Sequence, residues 1–370
     1  MMDSLKVLGI ESSCDDTAAS VINVFHKDNT FIRAEIHSSI VFDQNKIHNN
    51  YGGVVPELAA RAHVEKIDHC VETALFESHQ TLDKIDLISV TSGPGLIGGL
   101  ISGVMFAKSL SFSLNKPLIG VNHLAGHALT PRLTHSTKYP YLILIASGGH
   151  CQFLIVKGPS NFKRLGGTID DAPGEAFDKT AKILGLGYPG GPSIESRALK
   201  GNPTSFKLPL PLLKQNNCDM SFSGLKTALR REVTKTKNHT GVLSEKAIND
   251  LCASFQNAVI DIFVDKTQKA MILFKNSYPT VPHTIAIAGG VAANKKLGFA
   301  LLKIANNFNF NLIRPEPQLC TDNAAMIASA GSELYLNKII STETLIPRAR
   351  WPLDNEATPM LGSGKKGRKA

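Results

Sequence analysis

The sequence predicts an α/β protein built from two related lobes. Short apolar strands alternate with segments of helical periodicity, and glycine-rich turns stand at the strand ends. A strand, a tight turn and a second strand occur twice, around residues 9–17 and 147–150. Folds of this class bind ligands at the carboxyl ends of their strands, so these turns are the first candidates for a site.

The elements of the first half follow from apolar runs and their spacing. An apolar strand at 6–10 is followed by its partner at 18–24, and residues 56–75 have apolar spacing near 3.6, which predicts a helix. The strand at 87–90 ends at Gly93-Pro94-Gly95, and a helix is expected over 103–110.

The second half repeats this alternation. A strand at 118–121 leads into a helix that passes through His127. The fully apolar strand 141–146 is predicted to pair with 151–156 as a hairpin. A strand at 284–288 ends in Gly289-Gly290. Further helices are expected over residues 178–184, 249–274 and 323–335.

Length and composition bound the class of protein. The 370 residues suggest two domains or one two-lobed unit, and 43% hydrophobic residues exclude an intrinsically disordered chain. Only 6% of the residues are aromatic, which argues against an aromatic-rich all-β binder. The 40 Lys and Arg against 31 Asp and Glu point weakly to a polyanionic partner. Six scattered cysteines without a CxxC pair predict reduced thiols in a cytosolic protein.

One uncharged stretch, from Leu87 to Ala107, satisfies the crude length rule for a membrane-spanning helix. Gly93-Pro94-Gly95 and Gly98-Gly99 interrupt it, so a strand, a glycine-rich turn and a buried helix are predicted instead. The start of the chain leaves no room for a signal or transit peptide, which is our expectation for the whole protein.

Three turns at strand ends are candidates for binding a nucleotide. They are the hydroxyl-rich turn in 9–17, the Gly148-Gly149 turn in 146–150 and the turn in 288–294. Backbone amides and hydroxyls in such turns can hold phosphate oxygens, and glycine lets a ligand approach the backbone closely. The first turn could equally be an ordinary polar hairpin, but the three together fit one nucleotide site in a cleft between lobes.

His123 and His127 form the candidate metal pair. Residues four apart share one face of a helix, so both imidazoles can reach one ion, although a chance pair of histidines fits the spacing too. The sequence lacks the glutamate of a His-Glu-x-x-His metalloprotease motif beside them. Asp322, just before the last helix, is either a helix cap or a third metal ligand.

Charged residues suggest further contacts. Glu175 and Asp178 are predicted to share a helix face, where they bind ribose hydroxyls or a metal-bound water, or merely complement the helix dipole. Basic residues occur in three clusters that are either solvated or in contact with phosphates. They are Lys226, Arg230 and Arg231 with Lys235 and Lys237; Arg348 and Arg350 beside Trp351; and Lys365, Lys366, Arg368 and Lys369 in the tail.

Ten motifs follow one another in a fixed order over roughly residues 7–352. They are GIESSCDDT (9–17), GGVVPELAARAH (52–63), SGPGL (92–96), NHLAGH (122–127), SGGH (147–150), GEAFDK (174–179), YPGGP (188–192), SFSGLK (221–226), GGVAAN (289–294) and CTDN (320–323). With these motifs the chain closely resembles the universal family of tRNA threonylcarbamoyladenosine transferases, of the bacterial TsaD type. No motif position departs from the family pattern.

The resemblance implies a fold and a reaction. The fold expected is that of actin, Hsp70 and sugar kinases, with a nucleotide cleft between two lobes. Residues 1–130 with about 323–350 would form the first lobe, 131–322 the second, and 353–370 a disordered basic tail. The family transfers a threonylcarbamoyl group from threonylcarbamoyl-AMP to N6 of the adenosine beside the anticodon, in tRNAs that read codons starting with A.

The resemblance also implies site residues and cofactors. His123, His127 and Asp322 would hold one divalent metal, Fe²⁺ in the first place and Zn²⁺ as the alternative, and Glu11 would assist near the reacting group. Threonylcarbamoyl-AMP or ATP would be the nucleotide ligand, bound by Ile145, Ala146, Ser147, Gly148, Gly149, Asp178, Gly191 and Asn294. Contacts to tRNA would fall on Lys226, Arg230, Arg231, Arg348 and Arg350.

The partners implied are tRNA, an adenylate-synthesising enzyme, an inactive paralogue and a small ATPase, with a homodimer as a further option and no membrane. The location implied is a bacterial cytoplasm rather than a mitochondrial matrix. Two other functions stay open from the sequence. One is a metal-dependent glycoprotein endopeptidase, an older label of the family, and the other is a non-catalytic ATP-binding scaffold of the same superfamily.

Overall fold

Two five-stranded sheets organise the chain. The computed structural model describes residues 2–51, 53–237, 241–339 and 345–358. The first sheet contains β1 (Asp3–Glu11), β2 (Asp16–Lys27), β3 (Thr30–Asp43), β4 (Leu87–Gly93) and β5 (Leu118–Asn122) in the order β3-β2-β1-β4-β5. The second contains β6 (Tyr141–Ala146), β7 (Cys151–Gly158), β8 (Asn161–Gly167), β9 (Thr284–Ala288) and β10 (Asn311–Ile313) in the order β10-β9-β6-β7-β8.

The two sheets have the same topology. In each, three antiparallel strands from consecutive hairpins are followed by two parallel strands, so that β1 to β5 correspond in order to β6 to β10. The two strand-turn-strand motifs of the sequence are the equivalent hairpins β1–β2 and β6–β7. The prediction of an α/β fold with two related lobes is therefore confirmed.

Eleven helices lie in the described ranges. They are α1 (Asn45–His48), α2 (Pro56–Glu77), α3 (Ile97–Leu114), α4 (His123–His135), α5 (Pro173–Leu184), α6 (Gly190–Ala198), α7 (Ser223–Thr236), α8 (Glu245–Ser277), α9 (Lys295–Asn307), α10 (Pro317–Cys320) and α11 (Ala324–Leu336). Every helix and strand predicted from the sequence occurs, although several boundaries differ.

The alternation of side chains along the strands places helices on both faces of each sheet. In β1, Leu8 and Ile10 pack with apolar residues of α2 and α3, while Leu5 and Val7 pack with α4 and α11 on the other face. Residues of β6 and β9 pack on the same α4 and α11 layer, which therefore lies between the two sheets. The outer face of the second sheet is covered by α5 to α9.

The lobe boundaries expected from the sequence remain a proposal. The packing of α11 on β1, β2 and β4 supports it, because it returns the end of the chain to the first sheet. Residues 359–370, with Lys365, Lys366, Arg368 and Lys369, lie outside the described residues.

Some elements escaped prediction for physical reasons. Strand β3 alternates poorly, because most of its positions are exposed and both polar and apolar residues occupy them, and β8 is short and rich in glycine and cations. Helix α3 begins at Ile97 rather than near Gly103, since its glycines lie within the helix. A Cβ at Gly99 would stand 2.4 Å from the carbonyl oxygen of Ser12, and a Cβ at Gly103 would stand 2.2 Å from Ser12 Oγ. Glycine at these positions therefore lets the helix approach the first turn.

Helix α3 is long and apolar enough to cross a membrane by length and composition alone, a test that core helices of soluble proteins also pass. The prediction of a buried helix is correct for one face only. Leu100, Val104 and Ala107 are buried against the first sheet, whereas Ile101 and Met105 are half exposed and Phe112 is 91% exposed.

The close packing of α11 on β1 generates a prediction about stability. A Cβ at Gly9 would stand 2.2 Å from the carbonyl oxygen of Ala324, so Gly9→Ala forces the helix away from the strand. We expect this substitution to lower the free energy of unfolding by about 1–3 kcal/mol in urea titrations. The control is Gly158→Ala, whose Cβ meets its nearest neighbour at 3.8 Å, and an equal loss in both variants would contradict the packing argument.

Candidate metal and nucleotide site

Strand β5 passes directly into α4, and this junction places both candidate histidines. Asn122 is the last residue of the strand and the N-cap of the helix, so His123 is the first helical residue and His127 follows one turn later. Both imidazoles are buried, with ring centroids 4.8 Å apart and nearly perpendicular planes. The spacing predicted from the sequence thus gives two rings on one helix face.

Asp322 faces this pair because another residue caps the following helix. Asn323 is the N-cap of α11 and accepts a hydrogen bond from Met326 N. The carboxylate of Asp322 is free to reach across the layer, where Oδ1 lies 3.0 Å from His127 Nε2 and 3.5 Å from His123 Nε2. Of the two alternatives left by the sequence, the geometry favours the metal ligand over the helix cap.

Glu11, at the end of β1, lies behind His123. Its carboxylate is fully buried, with Oε1 accepting from Ser13 N at 2.6 Å and Oε2 from Thr91 Oγ1 at 2.5 Å. Oε2 is also 3.0 Å from His123 Nδ1, on the side of the ring away from Asp322. A carboxylate in this place orients an imidazole and raises its basicity, so the geometry favours a positioning role for Glu11.

The pKa shifts in this group arise because His123, Asp322 and Glu11 lie close together with little access to solvent. Burial alone would lower the pKa of His123, but the carboxylates of Asp322 and Glu11 outweigh it and hold that pKa well above its usual value. Burial would raise the pKa of Asp322, and the two imidazoles hold it well below its usual range instead. A metal ion can bind the His123 imidazole only after the ring has lost its proton. Metal binding therefore strengthens as pH rises.

Further carboxylates crowd the same end of the first lobe. Burial raises the pKa of Asp16 to about 8, and the negative charges of Asp322 and Asp15 add to the shift. The pKa of Asp15 is raised by burial and by Asp322 as well. These carboxyl groups are costly to ionise together, and a bound cation would favour their charged forms.

The donor set fits a divalent transition metal. His123, His127 and Asp322 each offer one ligand atom, and these atoms lie within 4.8 Å of one another. Two imidazole nitrogens and one carboxylate oxygen suit iron or zinc, and three protein ligands leave positions for a substrate. The residues present therefore fit the metal that the sequence implies, without separating iron from zinc.

The turn between β6 and β7 is the first candidate for nucleotide contact. Gly148 and Gly149 are exposed, and a Cβ on either would meet no atom within 4 Å. Ser147 N donates to the carbonyl oxygen of His150, which closes the turn. The side chains of Ile145 and Ala146 are buried in the cores on opposite faces of β6, so only Ser147 to Gly149 expose side chains or backbone widely.

Three other predicted contact residues belong to the second lobe. Asp178 Oδ1 accepts from Gly190 N at 2.7 Å, and a Cβ at Gly191 would face open space. Asn294 is nine-tenths buried, and its side chain accepts a hydrogen bond from Leu297 N and donates one to Gln256 Oε1. Its amide is thus occupied as the N-cap of α9.

The two lobes face each other across these groups. Burial raises the pKa of Asp178 in the second lobe, and Asp15 in the first lobe acts on it in the same direction. The phenol of Tyr188 also has a raised pKa, chiefly from burial and then from Asp15 and Asp178. Asp15, Asp178 and Tyr188 are therefore close enough for the charge on one to shift the pKa of another, and Asp322 acts on Asp15 in the same way.

Sequence reasoning missed several polar partners of the site. Asn122 ends β5, Thr91 lies near the end of β4, and Ser13 follows the end of β1. None of the three was predicted to contact the metal ligands. Ser13 Oγ lies 3.1 Å from His123 Nδ1. The available signal was a polar residue that ends an otherwise apolar strand.

The basic residues predicted to contact tRNA lie at the surface and do not belong to the metal-ligand group. Arg230 and Arg231 are exposed and Lys226 half-buried on α7, whose start is held by Asp170 through Phe222 N at 2.8 Å and Ser223 N at 3.2 Å. Arg348 and Arg350 are exposed on the segment 345–358 that follows α11.

The two equivalent sheets define the class of protein, a two-lobed α/β protein with two histidines and one aspartate grouped at the start of the helices between the sheets. The structure of full-length HypF in its phosphate- and nucleotide-bound form has a TM-score of 0.55 to this chain, with 12% identity over 90% of this chain and 55% of that one, which shows the fold.

A family model described as tRNA N6-adenosine threonylcarbamoyltransferase matches residues 35–329. Proteins of that name from Ruegeria sp. (strain TM1040) and Paracoccus denitrificans (strain Pd 1222) are each 54% identical over 370 residues, covering the whole of both chains. The chain belongs to the family of tRNA N6-adenosine threonylcarbamoyltransferases.

The geometry of the ligand group predicts which histidine substitutions remove a metal. His127→Ala deletes one of three ligands, and we expect the metal content of anaerobically purified protein to fall from about one ion per chain to a small fraction of that, measured by mass spectrometry. His135→Ala, at the exposed end of the same helix, is the matched control. Equal metal content in the wild type and His127→Ala would contradict the site.

Proposed function

We propose that this chain transfers the threonylcarbamoyl group of threonylcarbamoyl-AMP to N6 of the adenosine beside the anticodon, in tRNAs that read codons starting with A. Membership of the transferase family and 54% identity along the whole chain support this function. The observation that carries it is the group of His123, His127 and Asp322, whose ligand atoms lie within 4.8 Å of one another.

The reaction requires no covalent nucleophile from the protein. As the new N–C bond forms, the C–O bond to AMP breaks, N6 loses one proton, and AMP departs as a stable anion. The adenine amine is a poor nucleophile, so the carbonyl must be polarised. A bound divalent metal supplies a Lewis acid for that purpose.

The protein's own groups position the reactants. Exposed backbone at Ser147 to Gly149 and beside Gly191 lets a nucleotide approach both turns closely. Glu11 and Ser13 hold the His123 ring from behind, so that Nε2 faces the cleft side occupied by Asp322. By binding and orienting both reactants, the protein turns a reaction between separate molecules into a reaction within one complex.

Metal dependence is part of the proposal. We assign Fe²⁺ as the metal and Zn²⁺ as the alternative, both held by His123, His127 and Asp322, with threonylcarbamoyl-AMP or ATP as the nucleotide. The raised pKa values of Asp15 and Asp16 support a resident cation, since a nearby positive charge would favour the ionised form of both carboxyl groups.

The proposed partners are tRNA, an adenylate-synthesising enzyme, an inactive paralogue and a small ATPase, in a bacterial cytoplasm. The apolar stripe on α3, formed by Ile97, Ile101, Met105 and Phe112, supports a protein partner, because these side chains are exposed at helical spacing. We assign this stripe to the paralogue. Light scattering of the chain alone and of the mixture distinguishes that complex from a homodimer.

The endopeptidase alternative is less well supported. Glu11 is the glutamate that contacts His123, and both of its oxygens already accept hydrogen bonds, so it is not free to activate a water. A non-catalytic scaffold is also disfavoured, because such a protein has no need of the three converging ligands.

The test of the function is reconstitution with threonine, bicarbonate, ATP, unmodified tRNA and the partner proteins. We expect threonylcarbamoyl-adenosine in digested tRNA by mass spectrometry, and loss of at least about 100-fold in rate for Asp322→Ala, because transition-state charge loses its stabilisation. Glu316→Ala, which removes an exposed carboxylate just before α10, is the control. Absence of product with authentic partners would refute the function, and full activity of Asp322→Ala would refute the ligand assignment.

The tRNA contact is proposed on Lys226, Arg230 and Arg231 of α7 and on Arg348 and Arg350 of the segment after α11. Cationic side chains that touch phosphates contribute affinity that depends on salt. Arg230→Ala with Arg231→Ala should raise the KM for tRNA with little change in kcat, and should lower the slope of log affinity against log salt by about 2. Lys27→Ala, which removes an exposed cation on β2, is the control for loss of a surface charge elsewhere, and an unchanged slope in the α7 variant would exclude α7 from the contact.

A further inference from the structure

The residue before the first metal ligand makes contacts in two directions. Asn122 is 5% exposed and ends β5, and its Oδ1 accepts from Leu124 N at 2.9 Å and from Ala125 N at 3.3 Å. These bonds cap the helix that carries His123 and His127. The other end of the amide, Nδ2, donates to the carbonyl oxygen of Trp351 at 2.9 Å.

Trp351 belongs to a segment from the far end of the chain, residues 345–351, which we call the C-terminal strap. The strap is fixed at the ends of the neighbouring strands. Arg348 N donates to the carbonyl oxygen of Ser92 at 2.7 Å, and Gly95 N donates to that of Ala349 at 3.3 Å. Leu345 is buried against Gly120 of β5, where a Cβ would stand 2.1 Å from Leu345 Cδ1.

Only an amide satisfies both sides of this junction. The helix start requires an acceptor, and the Trp351 carbonyl requires a donor, so the side chain of Asn122 supplies one of each. Serine is an equally good helix cap but is too short to reach the strap as well. The two bonds fix the direction in which α4 leaves the sheet, one residue before His123.

We propose that Asn122 is a positioning residue of the metal site, which fixes the first turn of α4 against the C-terminal strap and thereby sets the direction of His123 Nε2 toward Asp322. The inference rests on the proposed metal site. His123 is held on three sides in this arrangement: by Glu11 and Ser13 at Nδ1, by Asp322 at Nε2, and by the strap through the backbone that carries the ring.

The test uses the full chain and Co²⁺ as a spectroscopic probe of the site. Asn122→Ser keeps the cap and adds no charge, but it removes the donor to Trp351. We expect its thermal midpoint to stay close to that of the wild type, its Co²⁺ affinity in chelator competition to fall about 10-fold, and its visible Co²⁺ bands to shift. Ser244→Ala removes a helix cap of α8 outside the site and should leave affinity and bands unchanged.

The outcomes separate the inference from the metal site itself. If the wild type binds Co²⁺ and Asn122→Ser matches it in affinity and spectrum, the inference is overturned and the metal site stands. If the wild type gives no Co²⁺ spectrum, both are overturned. Loss of the fold in Asn122→Ser, seen by far-ultraviolet circular dichroism, also overturns the inference, because the amide would then be required for folding rather than for positioning.

Discussion

The proposed site depends on one carboxylate oxygen placed between two imidazoles. Asp322 and His127 are separated by 195 residues in the chain, and they meet because α4 and α11 form the single helical layer between the two sheets. Each helix begins close to the cleft, so the ligands stand at its edge while the apolar faces of the same helices pack on both lobes. The core that joins the lobes therefore also fixes the ligand group.

The arrangement around that oxygen explains how a fold shared with very different proteins supports this reaction. Glu11 and Ser13 contact one nitrogen of His123 from the first hairpin, and the equivalent hairpin of the second lobe leaves Gly148 and Gly149 open. Burial raises the pKa of Asp15 and Asp16, and the negative charge of Asp322 adds to both shifts. A cation held by His123, His127 and Asp322, together with the open glycine turn, would suit an activated carbonyl attached to a nucleotide better than a peptide.

Much of the fold follows from local pattern. The apolar runs predicted the central strands, and the spacing of His123 and His127 placed both rings on one helix face. The role of Asp322 could not be decided locally, because a carboxylate before a helix is also a cap, and only the packing shows that Asn323 takes the cap. The bond from Glu11 to His123 joins residues 112 apart, and no local pattern reports such a contact. Strand β3 was not predicted because polar and apolar residues share its exposed positions without alternation. The start of α3 was missed because the glycines that allow its close packing usually indicate a break in a helix.

The central claim is that one metal ion sits between the two imidazoles and Asp322, with Glu11 behind His123 rather than among the ligands. Anomalous X-ray scattering from crystals of anaerobically purified protein, recorded on both sides of the iron and zinc absorption edges, tests it most directly. The account predicts a single anomalous peak within bonding distance of His123 Nε2, His127 Nε2 and a carboxylate oxygen of Asp322. A peak bound by Glu11, or none in protein that is active in the transfer assay, would contradict it.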